Sequence, residues 1–435
     1  MGARGSIPKQ VFCGPQVLAR SRKMRMKFNK SGQLLLVSAA SLLVAALVTA
    51  CGTLTVDFVF VTSARAAGPD NYGEVDVFEV NSESGFMRQI PTSPFPSGGR
   101  NPVAEAVSSD NTNLYVVNQD DNTIVQFIIG NDGKLYPQNT VNTPGIFPLA
   151  IAVSGTKLYV LDTYQPLPSC STAAPCSGSV AVFPITASST TPPSDALGTP
   201  VANGSLNYWP LTVPGTQASD VIVPTAVNVL PSGAAVFVTA YDSTVSPSVG
   251  YVFGFMVGSN GALTAMTGSP FAAGVHPSAV ASSSTGNYLY VTDYASGNVL
   301  GYSVASTTGL LSPLSGSPFP AGNQPTAIVV DPKYPYLYVA NSQDSTVTAF
   351  SMSSGALTRL GSYATGLQPV AIGIDPSTNH FLYTVNFLGN TVAGTLSGFE
   401  LSPTTGTLVN SQNSPYTANA QPTAVAAISH GSPQK

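Results

Sequence analysis

Charge is scarce in this chain of 435 residues: Asp, Glu, Lys and Arg together make up 8% of it. Side chains that move protons or hold metals are scarcer still, with three histidines and four cysteines. The histidines, His276, His380 and His430, share no metal-ligand spacing, which excludes a metal centre of the helix-borne His pair type. There is no Gly-x-Ser-x-Gly elbow, no phosphate-cradling Gly-rich loop before a helix and no Cys-x-x-Cys-His haem site. No cofactor is expected. Positive charge is missing where it would matter most: residues 1–50 hold eight of the sixteen Lys and Arg and none of the acids. The rest of the chain sets eight bases against twenty acids, a net charge of −12. A surface without a basic stripe excludes a nucleic-acid partner, whose phosphates need one. It also disfavours adhesion to anionic headgroups.

The basic start reads as an address. Arg20 to Lys27 supply a cationic stretch, Leu34 to Val48 an apolar run and Val48-Thr-Ala-Cys51 a small-residue cleavage site. The run is shorter than the ~20 residues a membrane span needs. The tetrapeptide resembles the bacterial lipobox, which implies cleavage before Cys51 and acyl chains on that residue, enough to anchor a domain stably. Residues 1–50 are therefore expected to be a lipoprotein signal, with a dispensable extension before Met24 or Met26, and residues 51–435 the mature protein. Gly52 after the lipid site favours outer-membrane over inner-membrane retention. In an exported chain Cys170 and Cys176 are expected to form a disulfide, worth ~2 kcal/mol by chain entropy.

Glycine and proline are abundant, at 40 and 36 residues, and they punctuate a repeat. Its clearest copy runs Pro325-Thr-Ala-Ile-Val-Val-Asp, Tyr336-Leu-Tyr-Val-Ala-Asn, Ser345-Thr-Val-Thr-Ala-Phe and Gly355-Ala-Leu. Opening prolines fall at Pro102, Pro148, Pro224, Pro277, Pro325, Pro369 and Pro422. Each begins a unit of four short strands, and turn glycines such as Gly85, Gly133, Gly261, Gly309, Gly355 and Gly406 lead into the last. Such units cannot bury both faces alone and must stack around an axis. The fold is all-β, a seven-bladed β-propeller of four-stranded antiparallel blades. Val56 to Thr62 already reads as a second strand, so the first strand of that blade must come from Pro422 onward, closing the ring. One interval is long: Pro148 to Pro224 spans 76 residues against 48 from Pro277 to Pro325, an insertion over 163–220 that carries the cysteine pair and the single tryptophan, Trp209. Long loops on a rigid scaffold are where function tends to sit.

The residue before each proline and the residue ending each second strand should meet at one mouth of the central channel. The first set is Asn101, Phe147, Val223, His276, Gln324, Gln368 and Gln421; the second is Ser63, Asn118, Asp162, Ala240, Asp293, Asn341 and Asn386. Uncharged hydrogen-bonding groups dominate and suit a neutral polyol or sugar, although Asn and Asp at strand ends also satisfy their own turns. His276 could act as a general base with Asp293 to orient it. Of the cations, Arg65 and Arg100 alone map near the mouth and would have to hold any anionic substrate.

Leu337-Tyr-Val-Ala-Asn-Ser, Ser345-Thr-Val-Thr-Ala-Phe and the Ser-Pro-Phe copies at Ser93, Ser269 and Ser317 resemble the YVTN-type propellers and the seven-bladed lactonases that include bacterial 6-phosphogluconolactonases. The resemblance implies the propeller and a lactone hydrolase. Enzymatic members follow an opening proline with Arg-His and end the second strand with Asn-Glu. Here those places read Pro277-Ser-Ala, Pro325-Thr-Ala and Pro369-Val-Ala, and Asn118-Gln and Asn341-Ser. The leading expectation is thus a monomeric, lipid-anchored envelope scaffold that binds a glycan or an envelope protein. The other is a hydrolase of a neutral sugar lactone, with His276 as base and Arg100 or Gln324 near the oxyanion.

Overall fold

The computed structural model describes residues 55–64, 72–81, 83–186, 196–215, 217, 219–375, 381–388, 394–419 and 421–429, and every regular element among them is a β-strand. The expected signal segment, Cys51, Arg65, His380 and His430 lie outside these residues. Seven antiparallel sheets, each running outward through four strand positions, form the blades of a propeller; blades 2 to 7 follow in chain order from their innermost strands Pro102–Val107, Ile146–Ser154, Ile222–Val229, Pro277–Ser282, Pro325–Val330 and Leu367–Ile374. Blade 1 is the composite one: Pro422–Ser429 is its innermost strand, followed outward by Thr55–Ser63, Tyr72–Asn81 and Met87–Gln89. The C-terminal strand therefore closes the ring, pairing from Asp57↔Ser429 to Ser63↔Pro422.

The seven opening prolines hold one structural position. Each lies opposite the second-strand residue expected from the sequence: Pro102↔Asn118, Pro148↔Asp162, Pro224↔Ala240, Pro277↔Asp293, Pro325↔Asn341, Pro369↔Asn386 and Pro422↔Ser63; in three blades that strand runs two residues further, to Tyr164, Asp242 and Leu388. In all seven pairs the register shifts just after the proline. Proline has no N–H for the ladder, and a bulge at the strand end accommodates that gap. At three bulges a hydroxyl reaches the next blade: Ser278 Oγ donates to the Pro325 carbonyl at 2.6 Å, Thr326 Oγ1 to Pro369 at 2.8 Å and Thr423 Oγ1 to Pro102 at 2.9 Å.

Packing between blades follows from a second repeated position. Phe60, Tyr115, Tyr159, Phe237, Tyr290, Tyr338 and Tyr383, each three residues before the residue opposite an opening proline, are at most 1% exposed. Burying such a ring contributes roughly 1.5–3 kcal/mol. Two of the phenols hydrogen-bond to the hairpin glycine of the following blade, Tyr290 to the Gly355 carbonyl at 2.9 Å and Tyr338 to Gly406 at 3.1 Å. Gly355 has φ +87, and a Cβ there would meet the Tyr288 ring at 2.5 Å, so glycine is required both for the turn and for the approach.

The Ser-Pro pairs also acquire a physical role. In five blades the outermost strand is broken, and in four of these the serine fills the gap by accepting from a third-strand amide. Val77 N–H donates to Ser93 Oγ at 2.9 Å, and Gly254, Gly301 and Gly398 donate to Ser269, Ser317 and Ser414 at 3.0 Å. Within the insertion, Cys170 and Cys176 are bonded with their Cα atoms 5.5 Å apart. Trp209 is 7% exposed, pairs with Val180 at the edge of blade 3 and joins the core with Leu211 and Val182. It is a packing residue rather than an exposed platform.

Candidate functional site

The bulged strand ends gather both predicted sets of residues at one mouth, but at different depths. The set that ends the second strands is buried and committed to local structure. Asn118 accepts from Ser97 Oγ at 3.0 Å; Asn341 donates to Thr348 Oγ1 at 2.9 Å; Asn386 donates to Ser397 Oγ at 2.9 Å. Asp293 accepts from the backbone N–H of Val275 and His276 at 3.0 and 2.9 Å. Asp162 accepts from Gly145 N–H at 3.0 Å, and burial pushes its carboxyl up to about 7 against the hydrogen bonds from Thr143 and Gly145. These groups fold the loops that carry the first set, and they are covered by those loops: a Cβ on Gly274 would lie 2.4 Å from Asp293 Oδ2.

The first set stands above them. Asn101, Phe147, Gln324, Gln368 and Gln421 all hold left-handed backbone, with φ between 50 and 58. Such conformations are uncommon outside glycine and cluster at binding sites. Asn101 turns its amide to Gln119 and Asp120 at 3.2 and 3.1 Å. Gln324 and Gln421 are half-exposed and Gln368 is exposed.

The mouth is two-sided. Blades 6, 7, 1 and 2 present Gln324, Gln368, Gln421 and Asn101, whereas blades 3 to 5 present rings. His276 lies against Tyr241, with ring centroids 3.9 Å apart, and against Tyr294 at 5.6 Å. Phe147 and Tyr164 continue the wall in an edge contact at 6.1 Å. Leu149, Val223, Pro224, Thr225, Ser278 and the rings of Tyr241, His276 and Tyr294 line an open recess of about 340 Å³. Its floor hydroxyls are occupied, Thr225 by Thr239 Oγ1 at 2.8 Å and Ser278 by Pro325. Among the described residues neither ring nitrogen of His276 has a hydrogen-bond partner. Burial lowers the His276 pKa, and Asp293 opposes this only in part, so the imidazole is held neutral. A neutral imidazole offers one donor and one acceptor.

Arg100 does not face this recess as a free cation. Its Nε donates to Asp121 Oδ1 at 2.7 Å and its backbone N–H to Asp121 Oδ2 at 2.7 Å. The pairing raises the guanidinium pKa further and lowers that of Asp121. Tyr241 and Tyr294 did not stand out in the sequence. The signal for them was position: each directly follows the second-strand residue that lies opposite the opening proline, Ala240 and Asp293.

A family model described as lactonase, seven-bladed β-propeller, matches residues 66–198 and 311–427. No curated protein sequence matches the chain. Among solved structures, a putative 6-phosphogluconolactonase from Bacteroides fragilis superposes with a TM-score of 0.66 at 20% identity, covering 86% of this chain and 98% of that one. The periplasmic gluconolactonase of Pseudomonas aeruginosa superposes with a TM-score of 0.63 at 18% identity, covering 86% and 99%. A Lactobacillus plantarum protein follows at 0.61 and 19%, covering 86% and 99%. At these identities the likeness carries the fold.

Proposed function

This chain belongs to the seven-bladed β-propeller lactonase family, and on that premise we propose that it is a lipid-anchored envelope propeller whose mouth binds the uncharged ring of a glycan. The observation that carries this reading is the recess around His276. Two tyrosines supply apolar faces for the C–H side of a pyranose, and the neutral imidazole supplies a directional polar contact between them. The amides of Gln324, Gln368 and Gln421 across the mouth can take the hydroxyls of a longer chain. Asn118, Asp162, Asn341 and Asn386, buried beneath, hold the loops rather than the ligand. Arg100, tied to Asp121, leaves no uncommitted cation for a phosphate at this mouth among the described residues.

A second reading keeps the family's chemistry. The partnerless His276 imidazole can take a proton from a water whose oxygen adds to a lactone carbonyl. Ring opening then breaks the C–O bond, the departing oxygen takes the proton back, and a hydroxy acid results. Gln324 of the neighbouring blade, or Arg100 if it leaves Asp121, would face the developing oxyanion. Two assays on the purified protein separate the readings. Retention on uncharged glycans with lactones untouched supports the scaffold, whereas lactone turnover lost in His276→Ala supports the hydrolase.

A further inference from the structure

On the face opposite the mouth, blades 5 and 6 border a second, open cavity of about 260 Å³, lined by Ser284, Thr285, Tyr288, Lys333, Tyr334 and Ser354 among others. Tyr288 begins the strand that ends at Asp293, so this cavity and the mouth recess are separated by about 17 Å along the strand. We propose that it is a second carbohydrate site, selective for a sugar unit that carries a negative charge.

Three observations converge on that chemistry. The Tyr288 ring lines the cavity beside Gly355, whose backbone approaches it so closely that a Cβ would sit 2.5 Å from the ring, which fixes the ring in place. Half-buried Tyr334 supplies a second ring, with the Lys333 ammonium 5.2 Å from its centroid. Aromatic faces of this kind take the C–H face of a sugar, and a lysine over a ring is a compact point charge held by the quadrupole. Arg88, Arg100 and Lys134 each have a carboxylate partner, whereas Lys333 forms no ion pair among the described residues. Exposed Ser284, Thr285 and Ser354 ring the opening with hydroxyls. Ser354 holds a left-handed backbone at φ 49, which sets it beside Gly355 at the cavity edge. A neutral sugar would use the rings and hydroxyls alone; a carboxylate or phosphate on the sugar also uses the ammonium.

The test is a set of saturation-transfer NMR titrations of the full-length protein with methyl glucuronide, methyl glucoside and glucose 6-phosphate. The expected result is saturable binding of the anionic sugars, about five-fold tighter than that of the glucoside, the carboxylate and phosphate arms showing which anion fits better. Lys333→Met should erase the preference while keeping weak glucoside binding, and Ser284→Ala, which cannot disturb the core, should weaken all three sugars. His276→Ala should leave these titrations unchanged, so failure here is distinguishable from failure at the mouth. Absence of saturation, or an anion preference that survives Lys333→Met, overturns the proposal.

Discussion

Thr423 and Pro102 are 321 residues apart in sequence, yet the Thr423 hydroxyl donates to the Pro102 carbonyl at 2.9 Å. The contact joins blade 1 to blade 2 by the same stitch that joins blade 5 to blade 6 and blade 6 to blade 7. The seam is therefore built like the rest of the ring. Removing residues 422–435 strips blade 1 of its innermost strand and leaves the inner edge of Thr55–Ser63 unpaired. Thermal unfolding of that truncation should lose its single cooperative transition; a melting curve like that of the intact protein would contradict the closure. Thr423→Val, which removes the stitch together with the same hydroxyl's bond to the Thr62 carbonyl, should cost about 1 kcal/mol in chemical denaturation.

Gly355→Ala should destabilise by roughly 1–3 kcal/mol, because it combines a left-handed backbone with a 2.5 Å approach to Tyr288. Gly155 is also left-handed, at φ +55, but has nothing within 4 Å of its Cβ position. Gly155→Ala should therefore cost only the conformational part, ~1 kcal/mol. Denaturation midpoints of the two variants measure the difference.

Glu105 is the one charged side chain on the seven innermost strands. It leans onto blade 1, accepting from Thr62 Oγ1 at 2.5 Å and from backbone N–H groups of Ala426 and Thr62. Burial outweighs these bonds and raises its pKa from 4.5 to about 7. An acid whose pKa is raised on folding binds more protons folded than unfolded, so stability falls as pH rises from 4.5 to 7. Glu105→Gln should flatten that decline and raise stability at pH 8, by about 3 kcal/mol at most. Melting temperatures across pH 5–8 decide it; a variant less stable at pH 8 contradicts burial as the dominant cause.

If the mouth hydrolyses lactones, the acid limb of kcat/KM should fall below the ordinary histidine value of 6.5, because burial holds His276 neutral. Tyr241→Ala exposes the imidazole and should move that limb upward while His276 itself is retained. A limb at or above 6.5 in the unaltered protein would mean that another group titrates.

Much of the fold was legible because proline and glycine mark the places where a repeat must break its ladder. Pro422 without a following second strand, and Val56 to Thr62 without a preceding first one, were enough to place the closing strand. The mouth was legible in outline for the same reason, since register fixes which residues share a strand end. Depth was not legible. Asn118 and Gln324 look alike in sequence, but one is sealed beneath a loop and bonded to Ser97 while the other stands half-exposed on left-handed backbone. Nor did the sequence place Tyr241 against His276, since that contact joins neighbouring blades. For Arg100 the sequence shows only its place before the opening proline, and side-chain geometry reveals Asp121 on its guanidinium.

The recess between Tyr241, His276 and Tyr294 is the proposed place where this protein meets an uncharged sugar ring. Calorimetric titration of the intact protein with a panel of uncharged envelope saccharides, beside a Tyr241→Ala, His276→Ala double variant, tests that claim most directly. Saturable binding of at least one saccharide that the folded double variant loses is the predicted result. Binding that persists unchanged in the variant, or a panel that never saturates, would contradict it.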